Sequence, residues 1–257
     1  MIQLDQITFQ YPHQEAIFEG FSWEIQTGQA WAVLGPSGCG KSTLLYLLAG
    51  LRFPENGEVR IDGEVLSKPR PHTGLILQDY GLLPWETVLE NASLGLRLRQ
   101  FYGPDGQHAP SEKLVEDIHT QAVHWLERLG LISVQGKYPG QISGGQRQRT
   151  AIARTLATGP DLLLMDEPFA SLDDPTRQNL GRLVRNLRQE ASLTTVIVTH
   201  AIEEAARLGE HILVLDHPPN RAANIVANPG AATEGYSESQ TYLQLCTQLR
   251  DMLEVQA

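Results

Sequence analysis

Three short apolar runs, each closed abruptly by glycine or polar residues, constrain the fold more than any other feature of the chain. They are Ala30-Trp31-Ala32-Val33-Leu34 before Gly35, Leu162-Leu163-Leu164-Met165 before Asp166, and Thr194-Thr195-Val196-Ile197-Val198 before Thr199-His200. Runs of this length, apolar on both faces, suit central strands of a parallel sheet covered by helices. Helical patterns follow them, so the core reads as α/β with crossover helices. In such sheets ligands sit beyond the carboxyl ends of the strands. The residues closing the three runs therefore converge on one site. With 257 residues, 41% of them hydrophobic, the chain can bury a core of this kind instead of remaining disordered.

Other segments carry different periodicities. Residues 1 to about 30 alternate apolar and polar (Ile2, Leu4, Ile7, Phe9; then Phe21, Trp23, Ile25), which predicts antiparallel strands joined by a turn. Gly57 to Leu66, turning at Asp62-Gly63, reads as a hairpin. From about Glu86 to Thr158 the pattern is mostly helical, broken by the turn-forming stretch Tyr102-Gly103-Pro104-Asp105-Gly106. Pro218 to Gly235 reads as irregular, and a last helix is expected from Glu238 to Leu253, with an apolar stripe of Tyr242, Leu243, Leu245, Leu249 and Leu253. That stripe predicts packing on its own chain.

No apolar stretch approaches the ~20 residues that span a bilayer. The N-terminus, Met1-Ile2-Gln3-Leu4-Asp5, lacks the basic and apolar regions of a signal peptide. With only two cysteines, Cys39 and Cys246, the chain is expected in the cytosol with free thiols. A formal net charge of -10 gives no long-range attraction for nucleic acid.

Gly35-Pro36-Ser37-Gly38-Cys39-Gly40-Lys41-Ser42, continued by Thr43, fits the pattern G-x-x-x-x-G-K-[ST]. Its glycines let the backbone turn tightly, so that successive N–H groups point inward as an anion nest. The helix opening near Lys41 adds its positive dipole end to the same spot. Lys41 can reach the β- and γ-phosphates of a nucleoside triphosphate, and the Ser42 hydroxyl can ligate Mg²⁺. The context supports the motif, because the loop follows a buried strand and opens an apolar helix (Leu44, Leu45, Leu47, Leu48). Cys39 reads as a small residue tolerated in the loop, although a phosphate nest can lower a thiol pKa.

Asp166-Glu167 closes the second run. Adjacent residues on a strand point in different directions, so the two carboxylates can do two jobs. Asp166 would hold Mg²⁺ through its water shell, and Glu167 would polarise the attacking water. His200, at the sheet's carboxyl edge, can hydrogen-bond a γ-phosphate. The N-K-x-D pattern that reads guanine is absent, because no asparagine precedes a lysine. A small-molecule kinase needs no glutamate after its Mg²⁺ aspartate, so hydrolysis is the better fit.

Ile142-Ser143-Gly144-Gly145-Gln146-Arg147-Gln148-Arg149 is a serine N-cap and a glycine pair opening an amphipathic helix, expected over Gln146 to Ala157. It resembles the signature sequence of the ATP-binding cassette (ABC) proteins. The phosphate loop, Gln78, this segment, Leu162 to Glu167, Ser171-Leu172-Asp173 and His200 follow in the order typical of that family. The resemblance covers about residues 2 to 216. It implies a P-loop NTPase core with a mainly parallel sheet, an N-terminal antiparallel β-subdomain and a helical subdomain inserted at about 86–158, with a short tail at 217–257.

The resemblance also implies roles. Tyr11 resembles the aromatic that stacks on adenine. Gln78 matches the glutamine that touches Mg²⁺ and the attacking water and senses a transmembrane partner. Ser143, Gly144, Gly145 and Gln146 would contact ATP held by a second copy of the chain, and Asp173 matches the loop that crosses between copies. Two ATP molecules would close a head-to-tail dimer, and hydrolysis would reopen it. Departures from the family pattern are Ile142 for leucine, Ala201 for a common aspartate, and a longer loop around Gly103 to Pro110, read as a surface insertion.

A single cassette without spans resembles the separate ATPase subunit of a bacterial-type importer, on the cytoplasmic face of the membrane beside permease subunits and, through them, a solute-binding protein. Gln78-Asp79-Tyr80-Gly81-Leu82-Leu83-Pro84-Trp85 resembles the Q-L-L-P-W stretch of the nitrate, sulfonate and taurine importer group, which includes importers of thiamine precursors. Leu215-Asp216-His217-Pro218-Pro219-Asn220-Arg221 resembles that group's proline-rich segment. A soluble cassette ATPase acting on nucleic acid or ribosomes fits less well, since those carry two cassettes or a coiled-coil insertion.

Overall fold

The computed structural model describes residues 1–102, 118–170, 172–233 and 235–254. They form two compact units. The first comprises Met1–Arg70, Leu162–Glu167 and Gly181–Ala257, and the second Pro71–Asp161 and Pro168–Leu180.

The first unit opens with an antiparallel sheet of β1 (Ile2–Gln10), β2 (Ala16–Ile25), β4 (Asn56–Ile61) and β5 (Glu64–Val65), in the order β2-β1-β4-β5. The apolar set of β1 changes parity, from Ile2 and Leu4 to Ile7 and Phe9. A bulge at Asp5 and Gln6, where Gln6 has φ 48°, absorbs the extra residue and keeps both pairs buried. Opposite it, a Cβ on Gly57 would lie 2.3 Å from the Asp5 carbonyl oxygen, so only glycine lets β4 approach.

The second sheet of this unit contains β3 (Ala30–Leu34), β7 (Leu162–Asp166), β8 (Thr194–Thr199), β9 (His211–Val214) and β10 (Asn224–Ala227), ordered β10-β9-β3-β8-β7. The first four are parallel and β10 is antiparallel to β9. Every residue of β3, β7 and β8 is buried. Leu34 pairs with Thr199 and Asp166 with Val198, so the three runs end in register at one sheet edge. The α/β class and the convergence of the run ends are as expected.

Helices α1 (Lys41–Leu48), α6 (Ile202–Leu208) and α7 (Gln240–Glu254) belong to this unit, and α5 (Asp174–Ala191) enters it from the second. The stretch from Pro218 to Gly235, expected to be irregular, instead holds β10 and a 3-10 turn at Pro229–Ala232. Its sequence hides the strand because β10 is mostly exposed and so lacks buried alternation. Pairing with β9 defines it, and Asn228 anchors its end by donating to the Ala206 and Gly209 carbonyls at 2.8 and 2.7 Å.

Helix α7 packs Tyr242, Leu245, Cys246 and Leu249 against Ala205, Ala206, Ile212 and Val214. Leu243, expected in that stripe, is 60% exposed, because Tyr242, Leu245, Cys246 and Leu249 fill the i, i+3, i+4, i+7 face, with Cys246 at i+4. Leu249 is fully buried. Leu249→Ala is therefore expected to lower unfolding stability by about 2–5 kcal/mol, read as a fall in the urea midpoint. An unchanged midpoint would mean that α7 contributes nothing to the unit.

The second unit is built from the short strand β6 (Thr73–Ile76) and the helices α2 (Val88–Tyr102), α3 (Ile118–Arg128) and α4 (Gly144–Leu156). Ala92, Leu96, Ala122, Leu126 and Ile152 are among its buried residues. Helix α4 starts two residues before the expected Gln146, since both glycines already lie inside it. The stretch Gly103 to Pro110 and Ser171 lie outside the described residues. No helix among the described residues is long and apolar enough to cross a membrane.

Candidate functional site

The Gly35–Ser42 loop leaves β3 and enters α1 at the edge where the buried strands end. Gly38 and Gly40 have φ 80° and 105°, conformations that turn the backbone inward and that side chains resist. A Cβ on Gly40 would meet Ile17 Cγ2 at 2.4 Å, so the loop lies flush on β2. The buried Lys41 ammonium donates to the Gly35 and Pro36 carbonyl oxygens, both at 2.8 Å. A third, longer contact runs to the Cys39 sulfur at 3.9 Å, so the ammonium is held inside the loop by its own residues, with its charge stored there. Cys39 is fully buried, and burial pushes its thiol pKa up, not down as a nest alone would suggest. Desolvation outweighs the opposing pull of the Lys41 charge and its hydrogen bonds.

Ser42 donates to Asp166 Oδ1 at 3.2 Å. Burial, with a smaller push from Glu167, raises the Asp166 pKa, while Ser42 and Lys41 oppose the rise. Two adjacent hard oxygen donors, one an anion short of compensating charge, suit a small divalent cation.

Glu167 follows the end of β7 with φ 42°, in the left-handed region. This is a sparsely populated conformation of the kind found at functional sites. It reverses the chain one residue past the strand, while the Glu167 N–H still bonds the Val198 carbonyl at 3.0 Å. The Glu167 carboxylate lies 3.1 Å from His200 Nδ1, and the His200 side chain is 63% exposed. The pair sets the imidazole orientation and leaves Nε2 as its other polar atom.

The segment carrying His200 is held by residues that sequence reasoning passed over. Helix α6 has Ala201 at its N-cap, with no side-chain cap. Thr199 substitutes for one: its hydroxyl accepts from the Ala201 N–H at 3.0 Å and donates to the buried Glu204 carboxylate. The only sequence signal for this pair was an acidic residue in the first turn of α6.

Tyr11, at the end of β1, points its hydroxyl at Thr43 Oγ1, 3.4 Å away, with the Arg52 guanidinium 5.9 Å from its ring centre. An aromatic thus stands beside the loop.

In the second unit, Gln78 opens the turn after β6 and is exposed. Tyr80, two residues on, has φ 67°. Arg154 of α4 fixes this turn by donating to the Tyr80 and Gly81 carbonyls at 2.8 and 2.5 Å. Asn91, wholly buried, does the same for the next stretch, bonding the Leu83 N–H and the Leu83, Glu86 and Thr87 carbonyls. Trp85, between them, is 71% exposed.

Ser143 caps α4 in a reciprocal box: its hydroxyl accepts from the Gln146 N–H at 3.2 Å, and Gln146 Oε1 accepts from the Ser143 N–H at 2.9 Å. The N–H groups of Gly144 and Gly145 are left without intrahelical partners. Asp173 accepts from the Thr176 N–H at 3.3 Å, and hydrogen bonding from the Thr176 hydroxyl, then from that N–H, lowers its carboxyl pKa.

A glycine-rich loop between a buried parallel strand and a helix, with an Asp-Glu pair and a histidine on neighbouring strand ends, defines a P-loop nucleoside triphosphatase. Residues 18–170 match the family model described as ABC transporter. The aliphatic sulfonates import ATP-binding protein SsuB of Bacillus thuringiensis subsp. konkukian is 36% identical over 238 residues, covering 93% of this chain and 88% of that protein. The taurine import ATP-binding protein TauB of Pseudomonas aeruginosa is 39% identical over 208 residues, covering 81% and 74%. Among solved structures, the dimeric post-hydrolysis state of the ATP-binding cassette MJ0796, bound to ADP and Pi, superposes with a TM-score of 0.74. It is 29% identical and covers 88% of this chain and 98% of its own. The chain belongs to the ABC transporter family and is one of its ATP-binding, ATP-hydrolysing cassettes.

Proposed function

We propose that the chain energises an importer of the sulfonate, taurine and nitrate group as a peripheral subunit on the cytoplasmic face of the membrane. The observation that carries this reading is the likeness to SsuB, which runs over 93% of the chain. The Gln78–Trp85 stretch and the Leu215–Arg221 segment support it as features resembling the same group.

In this reading the Gly35–Thr43 loop cradles the β- and γ-phosphates, and Lys41 pairs with their charge. Tyr11 supports the adenine ring. Ser42 and Asp166, with Gln78, would hold Mg²⁺, which when bound supplies positive charge to the phosphates. Glu167 accepts the proton of the attacking water as general base. His200 keeps the Glu167 carboxylate oriented and lies at the sheet edge within reach of the γ-phosphate. Ser143, Gly144, Gly145 and Gln146 present the α4 N-terminus to ATP held by a second copy, completing its site. Closing and reopening that dimer would drive permease subunits between two states, with Gln78 as the link and a solute-binding protein delivering cargo from the other side.

Tagged chain captured from detergent-solubilised membranes should bring down permease subunits, and its ATPase rate should rise when they are reconstituted with it. Recovery of ribosomes or DNA in place of a permease would overturn the importer reading and leave a soluble cassette ATPase.

A further inference from the structure

The segment after β9 contains a polar side chain that the hydrolysis mechanism does not use. Asn220 is 3% exposed. Its Nδ2 donates to the Cys39 carbonyl at 2.9 Å and to the Ile17 carbonyl at 3.3 Å, and its Oδ1 accepts from the Asp216 N–H at 2.8 Å. Its backbone N–H donates to the Ile17 carbonyl at 2.9 Å, and its carbonyl accepts from the Glu19 N–H at 3.0 Å. Two carbonyls facing one end of the amide and an N–H facing the other leave a single orientation for the side chain.

Cys39 lies in the middle of the phosphate loop. In a planar trans peptide the carbonyl and the following N–H point in opposite directions. Holding the Cys39 carbonyl on Asn220, at the buried side of the loop, turns the Gly40 N–H to the other side. That is the concave side, where an anion nest collects its donors. Gly40 packs so closely on Ile17 that an added Cβ would lie 2.4 Å from Ile17 Cγ2, and Ile17 is the other residue that Asn220 holds. A carbonyl and an N–H on one peptide cannot be re-aimed separately. The side chain that fixes one fixes the other.

We infer that Asn220 is a positioning residue for phosphate binding, acting through the Cys39–Gly40 peptide. The inference rests on the reading of the Gly35–Thr43 loop as the phosphate cradle. The proline-rich segment after the last parallel strand thereby becomes the rear wall of the loop, and the cradle is complete only when the chain beyond β9 has folded onto β2.

The test uses the full chain with Asn220→Ala and, as a control, Arg221→Ala, which breaks the Arg221–Glu19 pair of the same segment at 2.7 Å but leaves the amide in place. Losing one aligned donor to a phosphate should raise KM for ATP about tenfold in N220A, with kcat at saturating ATP within about twofold. Inorganic tripolyphosphate, which has no base or sugar, should weaken as a competitor by the same factor. R221A should match wild type in both. All assays run where circular dichroism shows the variants folded. If N220A does not fold, Asn220→Leu, of similar volume and without a donor, takes its place. A folded variant with wild-type KM and wild-type tripolyphosphate affinity would overturn the inference, as would an equal loss in R221A. Failure of the cradle reading looks different: wild-type chain itself would bind neither ATP nor tripolyphosphate.

Discussion

Glu167→Gln should keep ATP bound while cutting turnover by roughly 10²–10⁴-fold, the range that a positioned general base supplies. The substitution preserves size and the left-handed turn that aims the side chain, so little of the site's shape changes. What it removes is the ability to take a proton. A carboxamide still reaches His200 across the 3.1 Å contact, with its NH₂ donating to an unprotonated Nδ1. Equilibrium binding of a fluorescent ATP analogue, beside phosphate release at saturating ATP, separates the two effects. Undiminished phosphate release would remove Glu167 as the base. Loss of binding together with turnover would instead give the carboxylate a structural role. His200→Ala is a useful companion, because it leaves the base in place while removing its orienting partner and the imidazole beside the γ-phosphate.

How much of this was legible in the sequence depends on whether a residue acts through its immediate neighbours or through distant ones. The three apolar runs announced β3, β7 and β8 because a strand buried on both faces is mostly apolar along its whole length, whatever its partners, with only β-branched threonines and the closing aspartate as polar members. The phosphate loop was equally plain, since glycines at fixed offsets around Lys41 answer a local backbone requirement. Ser143 formed the expected N-cap, a contact made within four residues, and Gln146 closed it into a box. Strand β10 was missed because Asn224 to Ala227 are mostly exposed, and their conformation is set by β9.

The supports of the site were also hidden, and for the same reason. Asn220 holds a carbonyl 181 positions away, and Arg154 holds two carbonyls more than 70 positions away. A side chain that bonds backbone carries no sequence pattern at its target, because every residue type presents the same carbonyl. Glu204 was closer, five residues from Thr199, yet an acidic residue in a helix's first turn has an ordinary explanation in the helix dipole. Motifs name the residues that touch a ligand. The groups that hold those motifs in place are visible only once the chain is folded.

Glu167→Gln should also dimerise when ATP is added, if the α4 N-terminus completes a site on another copy. The physical basis is the pair of glycine N–H groups left over by the Ser143–Gln146 box, at the positive end of a 13-residue helix. Such an end attracts phosphate only while it stays open. A carboxylate at Gly145 would close it: Gly145→Asp places a negative charge among those N–H groups, and its Cβ would crowd Thr176 Cγ2, 2.7 Å away. In the Glu167→Gln background, G145D should therefore abolish the ATP-driven dimer while each monomer still binds ATP at its own loop. Lys41→Ala should abolish the dimer for the opposite reason, with an intact α4 end but no ATP held. Mixing the two defective chains is the decisive step. One site of the mixed dimer joins the intact loop of the G145D chain to the intact α4 end of the K41A chain, and the other site is defective on both sides. The mixture should recover a dimer that traps one ATP per pair, seen by sedimentation with labelled nucleotide, where neither chain alone forms one. If G145D dimerises as well as its parent, or Glu167→Gln stays monomeric with ATP even beside its permease, the second copy contributes nothing to the site and the Gly35–Thr43 loop must work alone.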